Sequence, residues 1–253
     1  MPKRLNQTNH IITIAIFKET AIMKFETTIQ EIIPRTHDVT SFRFPKPADL
    51  QYKPGQFLYI TIKQGGSELS KHFSFSSSPT DDFIEFTKKF TDHEFSMALK
   101  AARVGDWARI DAPYGNFTFE GEHQKIGLLC GGIGITPFMS MCKNATDKGL
   151  SSKITLFYGC KTEADIAFRR ELEELARKNG NLKVVFVLNQ ASPGWSGATG
   201  NITGDLVQKE LGDFGDVTFF ACGPPGMVKA MQGLVEGLGL PKEQLKVELF
   251  TGY

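Results

Sequence analysis

The sequence lacks an apolar run of about 18 residues, the length that a helix needs to cross a bilayer. Its richest apolar stretch, residues 10–17, is too short, so no membrane span is expected. It also lacks an excess of charge, because 29 Lys and Arg stand against 28 Asp and Glu, for a net charge of +1. With no basic tract to neutralise phosphates, binding to nucleic acid is not expected either.

Cysteine is scarce, and its spacing argues against a metal. The chain has four cysteines that form neither a CxxC pair nor a Cys/His cluster: Cys130, Cys142, Cys160 and Cys222. A structural zinc or an iron–sulfur cluster therefore has no support, and we expect no protein-ligated metal. The N-terminus carries no signal-peptide core with a small-residue cleavage site. We expect free thiols and a cytoplasmic protein, with a monomer as the working assumption.

Short alternating segments rich in Thr, Ile and Phe fill residues 24–121, separated by Pro and Gly. They read KFETTIQEI, VTSFRF, QFLYITI, HFSFS, FIEFTKKF and WARID. Such strands at short spacing predict a small antiparallel β-barrel, interrupted by one helix over residues 95–102. Residues 1–23 differ in character, and we expect a disordered extension there or an upstream start codon.

The periodicity changes in residues 122–253. Continuous apolar strands alternate with helical patterns, and these strands read KIGLLC, ITLFYG, LKVVFVL, VTFFAC and LKVEL. One helix is predicted over residues 164–179, with Phe168, Leu172 and Leu175 on its apolar face. This alternation predicts a doubly wound α/β domain, with a parallel sheet covered on both faces. The fold class is thus a two-domain protein, an antiparallel barrel followed by a parallel α/β domain.

Three segments stand out, although each has an ordinary structural interpretation on its own. GGIGITP (131–137) turns from a strand into a helix and could cradle a phosphate, but it lacks the third glycine of the dinucleotide fingerprint and could be only a tight turn. ACGPPGM (221–227) places a thiol at a strand end, where packing is the simpler reading. KHFSFSSSP (71–79) is an amphipathic strand, in which His72 taken alone is more typical of a structural or surface residue.

Together and in this order, these segments resemble the ferredoxin–NADP reductase family of FAD-dependent oxidoreductases, over residues 24–253. Residues 71–74 (KHFS) resemble the family's Arg-x-Tyr-Ser flavin motif, and residues 112–117 (APYGNF) resemble its Gly-Pro-Tyr-Gly-x-Phe turn. The loops at 131–137 and 222–227 match its nicotinamide-domain loops, and residues 194–200 resemble a further turn of the family.

The resemblance implies FAD as cofactor and NADPH or NADH as substrate, with barrel residues 24–121 binding FAD and residues 122–253 binding the nucleotide. The implied cofactor-binding residues of the barrel are Lys71, His72, Phe73, Ser74, Thr87, Lys88, Phe95, Ser96 and Met97. Those of the second domain are Gly131, Gly132, Gly134, Thr136, Lys161, Cys222, Gly223, Pro224, Met227 and Phe250. The implied catalytic residues are Ser74, Cys222, Glu248 and Phe250.

Specific roles follow from the same resemblance. Phe73 would stack on the isoalloxazine, Ser74 would hydrogen-bond near flavin N5, and Lys71 would face the FAD diphosphate. Cys222 would lie beside the nicotinamide C4, and Phe250 would cover the flavin face. The chain departs from the family pattern where Lys71 replaces Arg, which loses a bidentate fork, and where Phe73 replaces Tyr, so we expect FAD to be held more loosely.

The implied activity is hydride transfer from NAD(P)H to flavin, followed by electron transfer to a separate acceptor, with ferredoxin or flavodoxin the first choice. Lys161, Arg169 and Arg170 could meet a 2′-phosphate, which slightly favours NADPH, although such cations are usually a solvated face. One alternative is an FAD-binding electron-transfer subunit of a larger redox complex. Another is a nucleotide-binding regulatory module that has lost flavin.

Overall fold

The computed structural model describes residues 21–250. The predicted extension therefore lies mostly outside the described residues, although Met23, which we placed in it, begins the first strand. Within the described range no helix is both long and apolar enough to cross a bilayer.

Seven strands and one helix form the N-terminal domain. One antiparallel sheet has the order β1-β7-β4-β5 and the other the order β2-β3-β6. The elements are β1 (Met23–Thr28), β2 (Glu31–Pro34), β3 (Val39–Pro45), β4 (Phe57–Gln64), β5 (Ser67–Ser74), β6 (Phe83–Lys89), α1 (Glu94–Ala101) and β7 (Trp107–Tyr114). An antiparallel bridge between Phe75 and Phe86 joins the two sheets on the β5–β6 side.

The segment KFETTIQEI, predicted as one strand, divides into β1 and β2. At the division the Ile29 N–H donates to the Asp106 carbonyl, whereas the Gln30 N–H donates to the Arg43 carbonyl of the other sheet. Ile29 is buried at this corner, so one chain segment closes both sheets around a common apolar interior. Sequence alternation alone does not reveal such a change of partner.

The C-terminal domain is a six-stranded parallel sheet with the order β11-β10-β9-β8-β12-β13. Its strands are β8 (Lys125–Gly131), β9 (Lys153–Cys160), β10 (Leu182–Leu188), β11 (Ala198–Thr199), β12 (Thr218–Gly223) and β13 (Leu245–Leu249). Its helices are α2 (Thr136–Asp147), α3 (Arg169–Lys178), α4 (Gly204–Leu211) and α5 (Pro225–Gly237). Because α2 and α3 pack on one face and α4 and α5 on the other, the predicted two-domain fold class is confirmed.

Helix α3 begins at Arg169, five residues later than the predicted start at 164. A short 3₁₀ turn over Glu163–Asp165 comes first, closed by reciprocal hydrogen bonds between Thr162 and Asp165. Phe168 then adopts a left-handed backbone with φ of 59°, which is uncommon for an aromatic residue and interrupts any continuous helix.

The barrel encloses an apolar core of its own, but Val39, Phe117 and Phe119 from its half of the chain pack into the core of the α/β domain. Phe117 and Phe119, which follow β7, pack edge-on against Phe220 of β12, with ring centroids 5.4 and 6.3 Å apart. Phe117 also contacts Phe138 of α2. All four cysteines are buried without forming a disulfide, and all belong to the α/β domain.

Candidate active site

A cavity of about 560 Å³ opens between the two domains. On the barrel side it is lined by β5, β6 and the start of α1, and on the other side by Ile133, Thr136 and the end of β13. We call it the FAD cavity. Eleven of the predicted site residues line it: Lys71, His72, Phe73, Ser74, Thr87, Lys88, Phe95, Ser96, Thr136, Glu248 and Phe250.

The barrel wall of this cavity is held rigidly. The Phe73 ring stacks on Phe86 with centroids 4.8 Å apart and an interplanar angle of 17°, and it also contacts Phe95. Thr87 is buried, and its hydroxyl lies 2.7 Å from the Ser41 Oγ and 2.8 Å from the Ser76 Oγ. Phe73 therefore presents a fixed, flat, apolar surface, which suits an aromatic ring system.

Positive charge concentrates at one end of the FAD cavity. Lys71 is exposed there, while Lys88 is buried and its Nζ donates to the Lys89 carbonyl over 2.6 Å. Burial, together with the nearby Lys71 charge, lowers the pKa of Lys88 to about 8. An anion binding here would raise the Lys88 pKa again and offset the desolvation of its charge.

The N-terminus of α1 also lines the FAD cavity. The preceding residue, His93, makes no side-chain capping bond to the described residues. The Thr91 N–H donates to the Ser96 Oγ over 2.8 Å, but the buried Thr91 Oγ1 has no hydrogen-bond partner within residues 21–250. Uncapped amides, an unsatisfied hydroxyl and two lysines suit a diphosphate, so these residues fit FAD.

Glu248 and Ser74 meet in the FAD cavity, one from each domain. The Ser74 Oγ donates to the Glu248 Oε2 over 3.5 Å. Burial raises the pKa of Glu248 to about 7, although the Ser74 hydrogen bond works in the opposite direction. A carboxyl that titrates near neutral pH can hold or release a proton under working conditions.

The remaining predicted residues do not line the FAD cavity among the described residues. Met97 is exposed on α1, with 47% of its surface accessible. Cys222 is fully buried in β12 opposite Glu248, and its burial, with Glu248 nearby, raises the pKa of its thiol. The other members of this group are Gly131, Gly132, Gly134, Lys161, Gly223, Pro224 and Met227. Their expected roles stay predictions.

Gly134 has a packing reason that its loop sequence does not reveal. A Cβ at this position would lie 2.2 Å from the Cys222 carbonyl oxygen, so only glycine lets the turn after β8 contact the end of β12. Gly132, by contrast, has a φ of 53° and faces open space. Of the three glycines in this loop, Gly132 is therefore the one whose backbone can meet a ligand.

A second cavity of about 290 Å³ lies at the carboxyl ends of β8, β9 and β10, where nucleotides bind to doubly wound sheets. We call it the nucleotide cavity. Its α/β wall includes Gly132, Lys161 and Asp165, and its barrel wall is made by Asp38, Val39 and Lys89.

Lys89 and Thr91 are two of the cavity residues that the sequence analysis missed. Lys89 lines both cavities and forms an ion pair of 2.6 Å with Asp38. Thr91 supplies the unsatisfied hydroxyl described above. Their only sequence signal is adjacency to Thr87 and Lys88, because nothing local indicates that β6 runs past both cavities.

Comparisons with known proteins agree with this geometry. Residues 24–119 match the family model of the oxidoreductase FAD-binding domain, and residues 128–233 match that of the oxidoreductase NAD-binding domain. The chain is 32% identical to the reductase component of propane 2-monooxygenase from Rhodococcus jostii over 91% of its length, but spans only 64% of that protein. It is 31% identical to NADH-cytochrome b5 reductase 1 from Dictyostelium discoideum, covering 88% of this chain and 80% of that protein.

Comparison with solved structures finds relatives of the same kind. The structure of the CS-b5R domains of human Ncb5or in its NAD⁺ form superposes with a TM-score of 0.77 at 28% identity, covering 91% of this chain and 71% of that one. A single two-domain architecture thus accounts for both domains, their order along the chain and the cavity between them. The chain belongs to the ferredoxin–NADP reductase-like family of FAD- and NAD-binding oxidoreductases.

Proposed function

We propose that this protein is a reductase that takes hydride from NADH onto bound FAD and passes electrons to a separate acceptor protein. The observation that carries the proposal is the FAD cavity itself. There the predicted flavin residues of the barrel meet Thr136, Glu248 and Phe250 of the NAD-binding domain. A cavity with walls from both domains can hold the two reacting rings together and convert a bimolecular step into an effectively unimolecular one.

Each part of the FAD cavity has a defined task in this reaction. FAD supplies the hydride and electron chemistry when bound. Lys71 and Lys88 would neutralise the charge of its diphosphate, the amides of α1 would donate hydrogen bonds to it, and Phe73 would orient the flat ring. Ser74 and Glu248 form a hydrogen-bonded pair that can hold a proton on the Glu248 carboxyl. The aromatic walls would exclude water from the cavity.

The charges around the nucleotide cavity favour NADH over NADPH as the substrate. Arg169, one of the cations considered for a 2′-phosphate, is 3.0 Å from Glu173 and 3.5 Å from Glu163, and its guanidinium lies over the Trp195 ring. Lys161 and Asp165 both line the nucleotide cavity. A 2′-phosphate brought here would meet Asp165 as well as Lys161, and the Arg169 guanidinium is already paired with two carboxylates. Relatives named NADH-cytochrome b5 reductases favour the same choice.

The acceptor is proposed as a one-electron carrier protein. Ferredoxin and flavodoxin are the first candidates from the sequence. The names of relatives add cytochrome b5 and an oxygenase component as candidates. These candidates differ in redox group. The rates at which one enzyme preparation reduces each of them would rank them directly.

The decisive experiment is anaerobic reduction of the FAD-loaded protein, followed by flavin absorbance. We expect NADH to bleach the flavin band with a higher kcat/KM than NADPH, and an added one-electron acceptor to restore the band. A flavin that neither nucleotide bleaches would refute the reductase and favour the electron-transfer subunit. Protein that fails to take up FAD at all would favour the regulatory module.

A further inference from the structure

Arg35, in the turn after β2, connects the two domains. Its guanidinium forms an ion pair with Glu171 of α3 and lies over the Phe168 ring, 4.5 Å from the ring centroid. In its own domain, NH2 of Arg35 is 2.9 Å from Glu85, and its Nε donates to the Ser41 Oγ over 2.8 Å. One side chain thus holds partners on β3, β6 and α3.

Arg35 and its partner Phe168 are close in the chain to residues that line the nucleotide cavity. On the barrel side, the turn that carries Arg35 continues to Asp38 and Val39, which line that cavity. On the α/β side, Phe168 follows Ala167, another lining residue, at the end of the loop from β9 to α3. The Arg35–Phe168 contact therefore connects the two opposing walls and helps to set their separation.

The surroundings of Arg35 make this connection stiff. Its side chain is only 9% exposed, and that of Glu85 only 3%. Glu85 is also held by Arg43 at 2.8 Å and by the Ser76 hydroxyl at 2.8 Å. A buried, fully paired guanidinium cannot move without leaving charge unpaired, so the barrel end of the bridge is fixed.

The α/β end of the bridge is a residue that needs support. Phe168 adopts a φ of 59°, a backbone state that is costly for an aromatic residue and persists when surrounding contacts determine it. Its ring is 3% exposed and packs under the Arg35 guanidinium. Arg35 thus stabilises the backbone conformation with which the β9–α3 loop ends.

We propose that Arg35, through Phe168 and Glu171, is a positioning residue that holds the walls of the nucleotide cavity at the separation needed to bind the nicotinamide nucleotide. The inference rests on the proposed function, because it assumes that the nucleotide occupies this cavity. According to this inference Arg35, which lines neither cavity, affects the affinity for the nucleotide but not the chemistry at the flavin.

The test compares Glu171→Gln and Arg35→Gln with Arg43→Gln in the FAD-loaded protein, using rapid anaerobic mixing with NADH. Flavin absorbance at several NADH concentrations gives both the dissociation constant and the limiting rate of flavin reduction. We expect Glu171→Gln and Arg35→Gln to raise the dissociation constant about tenfold and to change the limiting rate much less. Arg43→Gln removes the other cation on Glu85 but leaves Arg35 and its contacts with Phe168 and Glu171 in place, so it should raise the dissociation constant much less than Arg35→Gln.

Two further results decide between a positioning role and a general loss of structure. In the double variant of Arg35 and Glu171, the effects on the dissociation constant should be less than additive, because both changes break one bridge. Glu171 is 41% exposed, so its Gln variant should fold even if Arg35→Gln does not. Wild-type dissociation constants in Glu171→Gln, or an equal rise in Arg43→Gln, would overturn the inference. A wild-type flavin that NADH does not reduce would instead refute the proposed function.

Discussion

Among single residues, Glu248 has a side chain whose protonation depends strongly on the fold of the cavity. It lies between two domains, opposite the buried Cys222 on the neighbouring strand and within reach of the Ser74 hydroxyl. Burial disfavours its ionised form, which raises its pKa to about 7. A carboxyl in the unfolded chain titrates more than two pH units lower.

This difference predicts how stability depends on pH. Between about pH 4.5 and 7 the folded protein binds the Glu248 proton more tightly than the unfolded chain, so this carboxyl lowers the free energy of unfolding as pH rises. In Glu248→Gln that loss should disappear. Urea unfolding of the flavin-free proteins measures this effect. The free energy of unfolding of Glu248→Gln minus that of wild type should be larger at pH 7.5 than at pH 4.5 by on the order of 1–3 kcal/mol.

Ser74→Ala is the matched control for Glu248→Gln. It removes the hydrogen bond that lowers the Glu248 pKa, so the wild-type loss of stability should extend to higher pH. An identical pH dependence in Glu248→Gln and wild type would show that this carboxyl is not perturbed.

At the scale of elements, the turn after β8 depends on its close approach to β12. Gly134→Ala places a methyl group 2.2 Å from the Cys222 carbonyl oxygen, a backbone atom that cannot move aside alone. We expect a loss of about 1–3 kcal/mol in the free energy of unfolding and slower flavin reduction by NADH, because the turn also carries Thr136 towards the FAD cavity. Urea unfolding and rapid mixing with NADH measure the two effects.

Gly131→Ala in the same loop serves as the comparison. Its φ is −136°, and the nearest atom to a new Cβ is 3.5 Å away, so the added methyl group should cost little. Equal stability of the two alanine variants would contradict the packing explanation for Gly134.

The elements also show which features a sequence can predict. Strands β8, β9 and β10 were evident because buried parallel strands are continuously apolar, and the flavin wall was evident because residues 71–74 form a recognisable motif. The late start of α3 was not evident, because the Phe168 backbone is held by tertiary contacts. Arg35 gave no signal, since its partners Glu85 and Glu171 are 50 and 136 residues away.

At the scale of the whole molecule, the residues after β7 that pack into the α/β core make the two domains depend on each other. The sequence has two tryptophans, Trp107 in the barrel and Trp195 in the α/β domain, so each single Trp→Phe variant reports on one domain by fluorescence. Because Phe117 and Phe119 pack into the α/β core, we expect both reporters to give the same urea midpoint in flavin-free protein. Circular dichroism on each variant corrects for any cost of the substitution itself.

Phe117→Ala tests the cause of this cooperativity. Losing this ring should destabilise the protein by about 3–5 kcal/mol and separate the two midpoints. Separate midpoints already in the parent variants would mean that the domains unfold independently, in spite of this packing.

The positions of the four thiols make it possible to measure local opening of the α/β domain. Burial raises the pKa of the Cys130, Cys142, Cys160 and Cys222 thiols above that of a free cysteine. An alkylating reagent needs thiolate, so each site reacts only while its surroundings are open. The four sites lie on β8, α2, β9 and β12, all in the NAD-binding domain, and the described part of the barrel has none. The mass that the reagent adds over time would therefore report local opening of the NAD-binding domain alone.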